Sequence, residues 1–520
     1  MNTASGLTGV LLLCLARSVT LMSHDQPTYT DVQTLRPAVT GTILTYNVSN
    51  APQAPQTPTF QLRNSLEDGP DPYVKYSQPA VYVLAQDMND ILEALKFGLN
   101  NSLRTAVMGA GHQFMGVQLL PNGLTIDTSN CTAVDVDPDS QTAYVQAGAS
   151  GADLIAETEP YNLMWPTAHG STIGVAGMVL GGGLGIGGSL YGASADSVLG
   201  IDVVSSWQDN ISDWDIVRVN ATSYPDLFWG LLGGGAMLAT AVGFELQLHP
   251  IPADGLMSGV TAIWPLQSAV QAFQWYNDWL ETAPPELDTD FAMITVPSLG
   301  QVVAVGVTNW DPNNSTDIIQ AVQGFIAGAL EAGAIEAAPA ALTLTGILES
   351  YDADVLSGSA ANYISDRFLQ SIPEDLVATL VALYSNATSP YSTILIEAPV
   401  RDLGGSNNSD TAFGYRGEWY VEVWPFWVRT AGGAAVDGDA EHVEWANQGG
   451  DILDQYSQAH YINNNRFDSA DSSETCFPAP NWARLQQLKA MYDPHGLFRP
   501  LDYFRTDNGF SGIAGDSDYY

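Results

Sequence analysis

Residues 165–191 read WPTAHGSTIGVAGMVLGGGLGIGGSLY, with nine glycines, at 170, 174, 177, 181, 182, 183, 185, 187 and 188, and no Asp, Glu, Lys or Arg. Glycine permits positive φ and close approach of a backbone or ligand, at an entropic cost on folding. Flexible linkers are polar and Ser-rich, whereas these glycines alternate with Ile, Val, Met and Leu. The stretch therefore reads as a buried loop. Main-chain N–H groups crowded into one place usually surround a phosphate or pyrophosphate. Gly181–Gly185 satisfies a loose glycine pattern, but the order of strand, GxGxxG and helix, with an acidic residue about twenty positions on, is missing. A nicotinamide dinucleotide is not expected.

The flanking sequence has an α+β pattern. Residues 80–84 (AVYVL) predict a buried strand, and residues 87–99 an amphipathic helix with an acidic first turn. Residues 105–108 predict a strand running into Gly109-Ala110-Gly111-His112-Gln113. Short strands follow at 123–127, 132–136 and 143–147, then a helix at 152–158. Beyond the glycine stretch, strands are expected at 198–206, 216–219 and 241–248, with a helix at 225–232 carrying Pro225 at its first position. At 520 residues the chain exceeds one ordinary core. From about 255 to 480 long helices (266–282, 316–332, 373–385, 439–457) alternate with strands (291–296, 302–308, 392–398, 419–428). These predict a second α+β domain, a sheet covered by helices on one face. Its aromatic strand 418–427 (EWYVEVWPFW) suits a substrate-facing wall or a packed core. Residues 481–498 predict an amphipathic helix ended by a Pro/Gly turn.

Charge narrows the partners. With 57 Asp+Glu against 16 Lys+Arg, the net charge of −41 argues against nucleic acid and anionic membrane. Residues 6–16 form an apolar run too short to span a bilayer but of signal-peptide length, with a small-residue cut after Ala16. Asn-X-Ser/Thr sites start at Asn47, Asn100, Asn130, Asn210, Asn220, Asn313, Asn314, Asn386 and Asn407. Composition alone would give roughly three or four, and such sites matter only on a secretory route. A secreted, N-glycosylated protein is expected. Cys131 and Cys476 form a disulfide or stay as buried thiols; Cys14 lies in the signal run. No CxxC or HExxH signals zinc, so no metal is expected.

The ordered motifs carry a resemblance. They are Pro79-Ala80-Val81, Gly109-Ala110-Gly111-His112, Val145-Gln146-Ala147-Gly148-Ala149, Thr172-Ile173-Gly174-Val175-Ala176-Gly177 and Leu180-Gly181-Gly182-Gly183-Leu184-Gly185. Further on come Tyr224-Pro225-Asp226-Leu227-Phe228-Trp229, Leu232-Gly233-Gly234-Gly235, Leu248-His249-Pro250, Tyr461-Ile462-Asn463 and Tyr492-Asp493-Pro494. At this spacing the chain resembles the FAD-linked oxidoreductases of the vanillyl-alcohol oxidase (PCMH-type FAD-binding) superfamily, in its berberine-bridge-enzyme-like fungal branch. The resemblance implies an α+β fold: a PCMH-type FAD-binding domain of two α/β subdomains plus an α+β substrate domain with an antiparallel sheet covered by helices. The implied division is 1–16 signal peptide, 17–75 N-terminal extension, 76–252 FAD-binding domain, 253–480 substrate domain and 481–520 returning to the FAD domain. The implied cofactor is FAD, touched by Gly109, Ala110, Gly111, His112, Gln113, Gly170, Ser171, Thr172, Ile173, Gly174, Gly177, Gly182, Gly183, Gly185, Val242 and Asn463. His112 holds the family's position for a covalent 8α-histidyl bond, so a monocovalent flavin is implied.

Departures from the pattern matter equally. Many members make a second covalent link through a Cys where this chain has Gly170, which excludes that bond. His169 beside it either hydrogen-bonds the flavin or fills space. The family's Arg before the first loop is Met108, and its Arg-Gly-Gly-Gly-Gly-Asn-Phe-Gly is Leu232-Gly233-Gly234-Gly235-Ala236-Met237-Leu238-Ala239. Ile173 stands at the family's oxygen gate, leaving oxidase and dehydrogenase both open. Oxidising an alcohol needs a base within hydrogen-bond reach, and a tyrosine serves when neighbours lower its pKa. Tyr461 is the first candidate and Tyr420 the second; Asn464 replaces a second family Tyr, so no tyrosine pair is expected. The implied activity is hydride removal from an alcohol- or amine-type C–H of a small organic substrate, a fungal secondary metabolite, with O2 reoxidising the flavin to give H2O2 where access permits. A secreted oligosaccharide oxidase or dehydrogenase, a flavin-binding scaffold guiding a non-redox cyclisation, and a degenerate FAD-free glycoprotein stand as alternatives. A monomer is expected.

Overall fold

The computed structural model describes residues 29–45, 79–113, 118–120, 122–354, 360–400, 410–428, 439–464 and 472–498. The signal run, Cys14, the sites at Asn47 and Asn407, and residues 499–520 lie outside them.

The first of three main sheets orders its four strands Thr42–Thr45, Val81–Leu84, Leu124–Asp127 and Thr105–Met108. The last three run parallel and Thr42–Thr45 antiparallel. A parallel pair needs a crossover, and the helix Met88–Asn100 supplies it. Asp87 caps that helix by accepting from Asp90 N at 3.0 Å. Ile91, Leu92 and Leu95 bury its apolar side against Val81, Val83 and Ile126. The chain's end closes the same core: Leu497 O accepts from Thr105 N at 2.8 Å, and Leu497 and Phe498 are buried there.

The second sheet is antiparallel and five-stranded, in the order Val134–Asp137, Thr142–Gln146, Thr240–Gln247, Val198–Val204, Ile216–Val219. The helix Ala479–Tyr492 packs Leu485 and Leu488 into its core beside Leu227 and Leu231 of the helix Pro225–Leu231.

The third sheet has seven antiparallel strands, ordered Glu336–Leu342, Met257–Pro265, Gly300–Asn309, Leu287–Val296, Thr393–Glu397, Trp419–Trp424, Ser365–Leu369. Side chains alternate between its faces. Val260, Ala262, Trp264, Phe291, Met293, Val303, Val305, Ile394, Ile396, Val421 and Val423 form one face, a core with the helices Ala269–Leu280, Thr316–Glu331, Glu374–Tyr384 and Asp439–Leu453. The other face looks onto the glycine stretch.

Several elements depart from the sequence reading. Strand 419–428 breaks at Pro425 into Trp419–Trp424 and Phe426–Val428, and the latter pairs with Ala360–Asn362 in a separate ribbon. Pro cannot donate to a ladder. Helix 439–457 stops at Leu453. Strands Met257–Pro265, Glu336–Leu342 and Ser365–Leu369 and the helix Leu344–Asp354 were not among the elements expected from the sequence. The glycine stretch itself contains two short helices, Val175–Gly181 and Gly188–Tyr191. Cys131 and Cys476 are buried in different cores and no disulfide links them; burial pushes the Cys131 thiol up to about 11.

Candidate functional site

A cavity of about 1560 Å3 lies between the loop Gly109–Gln113, the glycine stretch and the exposed face of the seven-stranded sheet. Single-ligand pockets are typically about 300–1,000 Å3, so there is room for a dinucleotide and a second molecule. The two loops are locked together. His112 Nε2 and Thr172 Oγ1 are 2.6 Å apart. A Cβ at Gly174 would stand 2.9 Å from Ala110 Cβ, so only glycine admits this approach. Ser171 O and Ile173 O accept from Ala152 N and Gly151 N at 2.8 Å each, which fixes the loop on the start of the helix Gly151–Thr158. That helix N-terminus is thus spent on the protein itself.

The predicted site residues divide into two sets. Gly109, Ala110, Gly111, His112, Gln113, Gly170, Thr172, Ile173, Gly174, Gly177, Asn463, Tyr420 and Tyr461 line the cavity. Ser171, Gly182, Gly183, Gly185 and Val242 are not among the lining residues. Gly182, at φ +104°, leaves the space that Phe413 fills; a Cβ there would be 2.5 Å from its ring. Gly183, at φ +85°, admits Ser194, and Gly185 faces Thr167 O. Val242 is fully buried in the core of the first sheet. Ser171 N donates to Asp352 Oδ1 at 3.0 Å. Asn463 Nδ2 donates to Gly177 O at 3.0 Å and to Tyr461 Oη at 3.1 Å, tying the C-terminal third to the glycine stretch.

Neither tyrosine has the lowered acidity that a base would need. Tyr461 is 6% exposed, and burial pushes its phenol up to about 12, although Gly183 N donates to it at 3.1 Å. Tyr420 is pushed well above its ordinary value, first by burial and then by Asp366 and Glu422. Its hydroxyl donates to Asp366 Oδ2 at 3.1 Å and accepts from Asn464 Nδ2 at 2.8 Å.

A carboxyl two residues further on is better suited. Glu422 shares the cavity face with Tyr420 and is 3% exposed, with Oε1 accepting from Asn464 Nδ2 at 2.8 Å. Burial, and then Asp366, push its pKa up to about 8. Burial alone would raise Asp366 too, but His460, the Tyr461 N–H and Arg367 hold it below the usual range. His460 Nδ1 stands 3.4 Å from Asp366 Oδ1, Tyr461 N donates to Oδ2 at 2.8 Å, and Arg367 Nη1 lies 3.1 Å from His460 Nδ1. Two carboxyls with their acidities driven apart mark an acid–base pair. Next along the sheet is Glu397, paired in register with Tyr420 and with Asp290. Burial, then Glu422, Asp290 and Asp288, push it well above its usual value. Sequence reading missed both glutamates. The signal was present: with Tyr420 assigned to the wall, period-two alternation puts Glu422 there as well.

His169 also lines the cavity, with its ring 4.6 Å from Tyr351; burial lowers its pKa and keeps it neutral.

The residues present fit a flavin dinucleotide. A Cβ at Gly177 would meet no atom within 4 Å, so the cavity opens directly onto the glycine backbone. Thr240, 2% exposed on the same wall, has an Oγ1 with no partner among the described residues. No Lys or Arg lines the cavity among the described residues, so the wall offers backbone and neutral donors.

Fold and site together define a flavin-dependent oxidoreductase. Residues 79–208 match the FAD binding domain family and residues 460–500 the family described as berberine and berberine like. An uncharacterized FAD-linked oxidoreductase of Bacillus subtilis is 24% identical over 436 residues, covering 81% of this chain and 90% of the relative. The structure of the berberine-bridge-enzyme-like protein 28 from Arabidopsis thaliana superposes with a TM-score of 0.75 at 17% identity, over 91% of this chain and 99% of that one. Glucooligosaccharide oxidase from Acremonium strictum, described as carrying a 6-S-cysteinyl, 8α-N1-histidyl FAD, superposes with a TM-score of 0.67 at 20% identity, over 81% and 90%. The chain therefore carries an FAD binding domain and a berberine-like segment near its C-terminus; it is an FAD-linked oxidoreductase and its cofactor is FAD.

Proposed function

We propose that this enzyme oxidises a C–H bond next to nitrogen or oxygen in a small organic molecule, a fungal secondary metabolite, with Glu422 as the base. The observation that carries this reading is the buried Glu422 carboxyl on the cavity wall, raised to about 8 beside an ionised Asp366. FAD supplies the hydride acceptor, and the protein's part is to position, to exclude water and to move a proton. Asn464 holds Glu422 Oε1, and Oε2 takes the proton from the substrate's O–H or N–H as the C–H electron pair leaves. Tyr420, fixed between Asp366 and Asn464, orients the substrate heteroatom through its ring and hydroxyl. Tyr461 stays protonated and braces the glycine turn at Gly183.

On the cofactor side, His112 would carry the 8α bond, with Thr172 Oγ1 beside its Nε2 to orient the ring. Ile173, on the cavity wall, governs access of O2 as electron acceptor. The division into an FAD-binding part (76–252 with the C-terminal segment) and a substrate part (253–480) belongs to the same reading. So does secretion of a monomer glycosylated at exposed sites such as Asn100, Asn130, Asn210, Asn313 and Asn386.

The test is anaerobic single-turnover reduction of the flavin in Glu422→Gln and Tyr461→Phe. A general base contributes about 10²–10⁴-fold. Glu422→Gln should lose that much with its flavin content unchanged, whereas Tyr461→Phe should lose roughly tenfold or less. The opposite ranking would return the base to Tyr461.

A further inference from the structure

The loop 170–174, which brings Thr172 against His112, is held from two sides. On one side are the bonds to Gly151 and Ala152 described above, together with Val175 N, which donates to Ala149 O at 3.0 Å. On the other is the helix Leu344–Asp354, which follows the edge strand Glu336–Leu342 of the seven-stranded sheet. Leu344, Ile347 and Leu348 fall on one helical stripe and are buried with Ile155, Met164 and Ile186, none of which belongs to that sheet. Both ends of the helix are tied down. At its start Thr345 N and Oγ1 donate to Glu159 Oε1 and Oε2 at 3.1 and 2.7 Å. In its last turn Tyr351 and Asp352 straddle Gly170: the Tyr351 ring lies 4.6 Å from that of His169, and Asp352 Oδ1 accepts from Ser171 N at 3.0 Å. Gly170 makes room for this contact. A Cβ there would stand 3.2 Å from Ile173 Cδ1 and 3.8 Å from Asp352 Oδ1.

A carboxylate accepting from a backbone N–H makes one of the stronger hydrogen bonds open to a loop, and this one joins residues 181 positions apart. Gly170 and Gly174 bound the segment, and the backbone freedom of glycine makes an external tie matter more there. The residue after Ser171 is Thr172, whose Oγ1 stands 2.6 Å from His112 Nε2. A group that must be placed to within about 0.5 Å needs support behind the residue that touches it. Thr172 supplies the touch, and Asp352 fixes the backbone that carries Thr172.

We propose that Asp352 is a positioning residue for His112, and that the helix Leu344–Asp354 is the clasp that presents it. This rests on the reading of His112 as the anchor of the flavin. Asp352 acts through Ser171 and Thr172, by accepting one hydrogen bond. Glu159 acts one step further back, by pinning the first turn of the clasp. The helix that lies over the cavity from the side of the seven-stranded sheet thereby sets the seat of the cofactor on the opposite side.

Amide hydrogen exchange of the holoenzyme, read residue by residue across 165–175 by mass spectrometry, follows the loop. The flavin retained on the chain after acid denaturation follows His112. Asp352→Ala should speed exchange of the Ser171 amide about tenfold or more and lower the retained flavin about twofold or more. Asp352→Asn keeps an acceptor oxygen, so both readouts should return to within about twofold of wild type. Glu159→Ala frees the far end of the helix without touching the loop. It should speed the same amide about threefold or more, and it carries the test if Asp352→Ala does not fold. Exchange unchanged in these two Ala variants overturns the proposal. So does an Asn variant as damaged as Ala, because charge and not hydrogen-bond acceptance would then be responsible. Faster exchange with full flavin retention overturns the positioning role and leaves only a brace. The reading of His112 fails separately: a wild-type protein that keeps no flavin after acid loses its anchor, while exchange at Ser171 still decides whether the helix is a clasp.

Discussion

Replacing Glu422 with Gln should make the protein progressively more stable than wild type as the pH rises from about 4.5 to 8. The unfolded glutamate titrates at 4.5, and burial with the adjoining Asp366 moves the folded group to about 8. In that window the folded state holds a proton that the unfolded state has lost. Stability therefore falls with rising pH, is fully present below 4.5, and is gone above the folded value. The slope is about 1.4 kcal/mol per pH unit for one group. Because Glu397 shares the same field, the Glu422 part should total about 2–4 kcal/mol across the window, below the full single-group sum. Gln keeps the side chain's size and does not titrate, so this pH-dependent loss is absent in the variant. Thermal unfolding of both proteins from pH 4.5 to 8 should show midpoints diverging, with wild type lower at the alkaline end by about 2–4 °C. Parallel curves, or divergence towards acid, would refute the raised carboxyl and with it the choice of base.

Three further outcomes follow from the same geometry. After acid denaturation and digestion, the peptide containing His112 should be heavier by one FAD, and His112→Ala should release all its flavin to the supernatant. Ile173→Val should speed reoxidation of the reduced flavin by O2 several-fold with little change in its reduction, measured by stopped-flow mixing with oxygenated buffer. Gly182→Ala should lower stability by about 1–3 kcal/mol, because it needs φ +104° and would crowd Phe413; chemical denaturation measures the loss.

The fold was largely legible because its elements are locally consistent. The helix expected at 87–99, the helix start at Pro225 and the strand at 302–308 each reappear, with Asp87 serving as the cap of the first. Strands without a hydrophobic signature were missed. Glu336–Leu342 is an exposed edge of alanines around Pro339. Ser365–Leu369 buries Asp366 and Arg367, whose partners Asp454, His460 and Tyr461 lie about ninety residues on, out of reach of any local window. At the site, glycine content marked the loops that line the cavity, and several of its glycines also answer to packing. Gly182, Gly183 and Gly185 are glycines because Phe413, Ser194 and Thr167 press against them. The tyrosines were favoured because the family motif contains them, yet acidity depends on three-dimensional neighbours. Only the register of Glu422 against Asp366 and of Glu397 against Tyr420 reveals which acids are forced to share a wall.

The most direct test of Glu422 as the base is the pH dependence of flavin reduction, followed anaerobically with a reducing substrate whose own charge is constant across the range. The account predicts a rate that climbs about tenfold per pH unit below 8 and levels off above it, with Glu422→Gln slow and flat throughout. A wild-type profile flat from pH 5 to 9, or a Gln variant that keeps the wild-type slope, would contradict it.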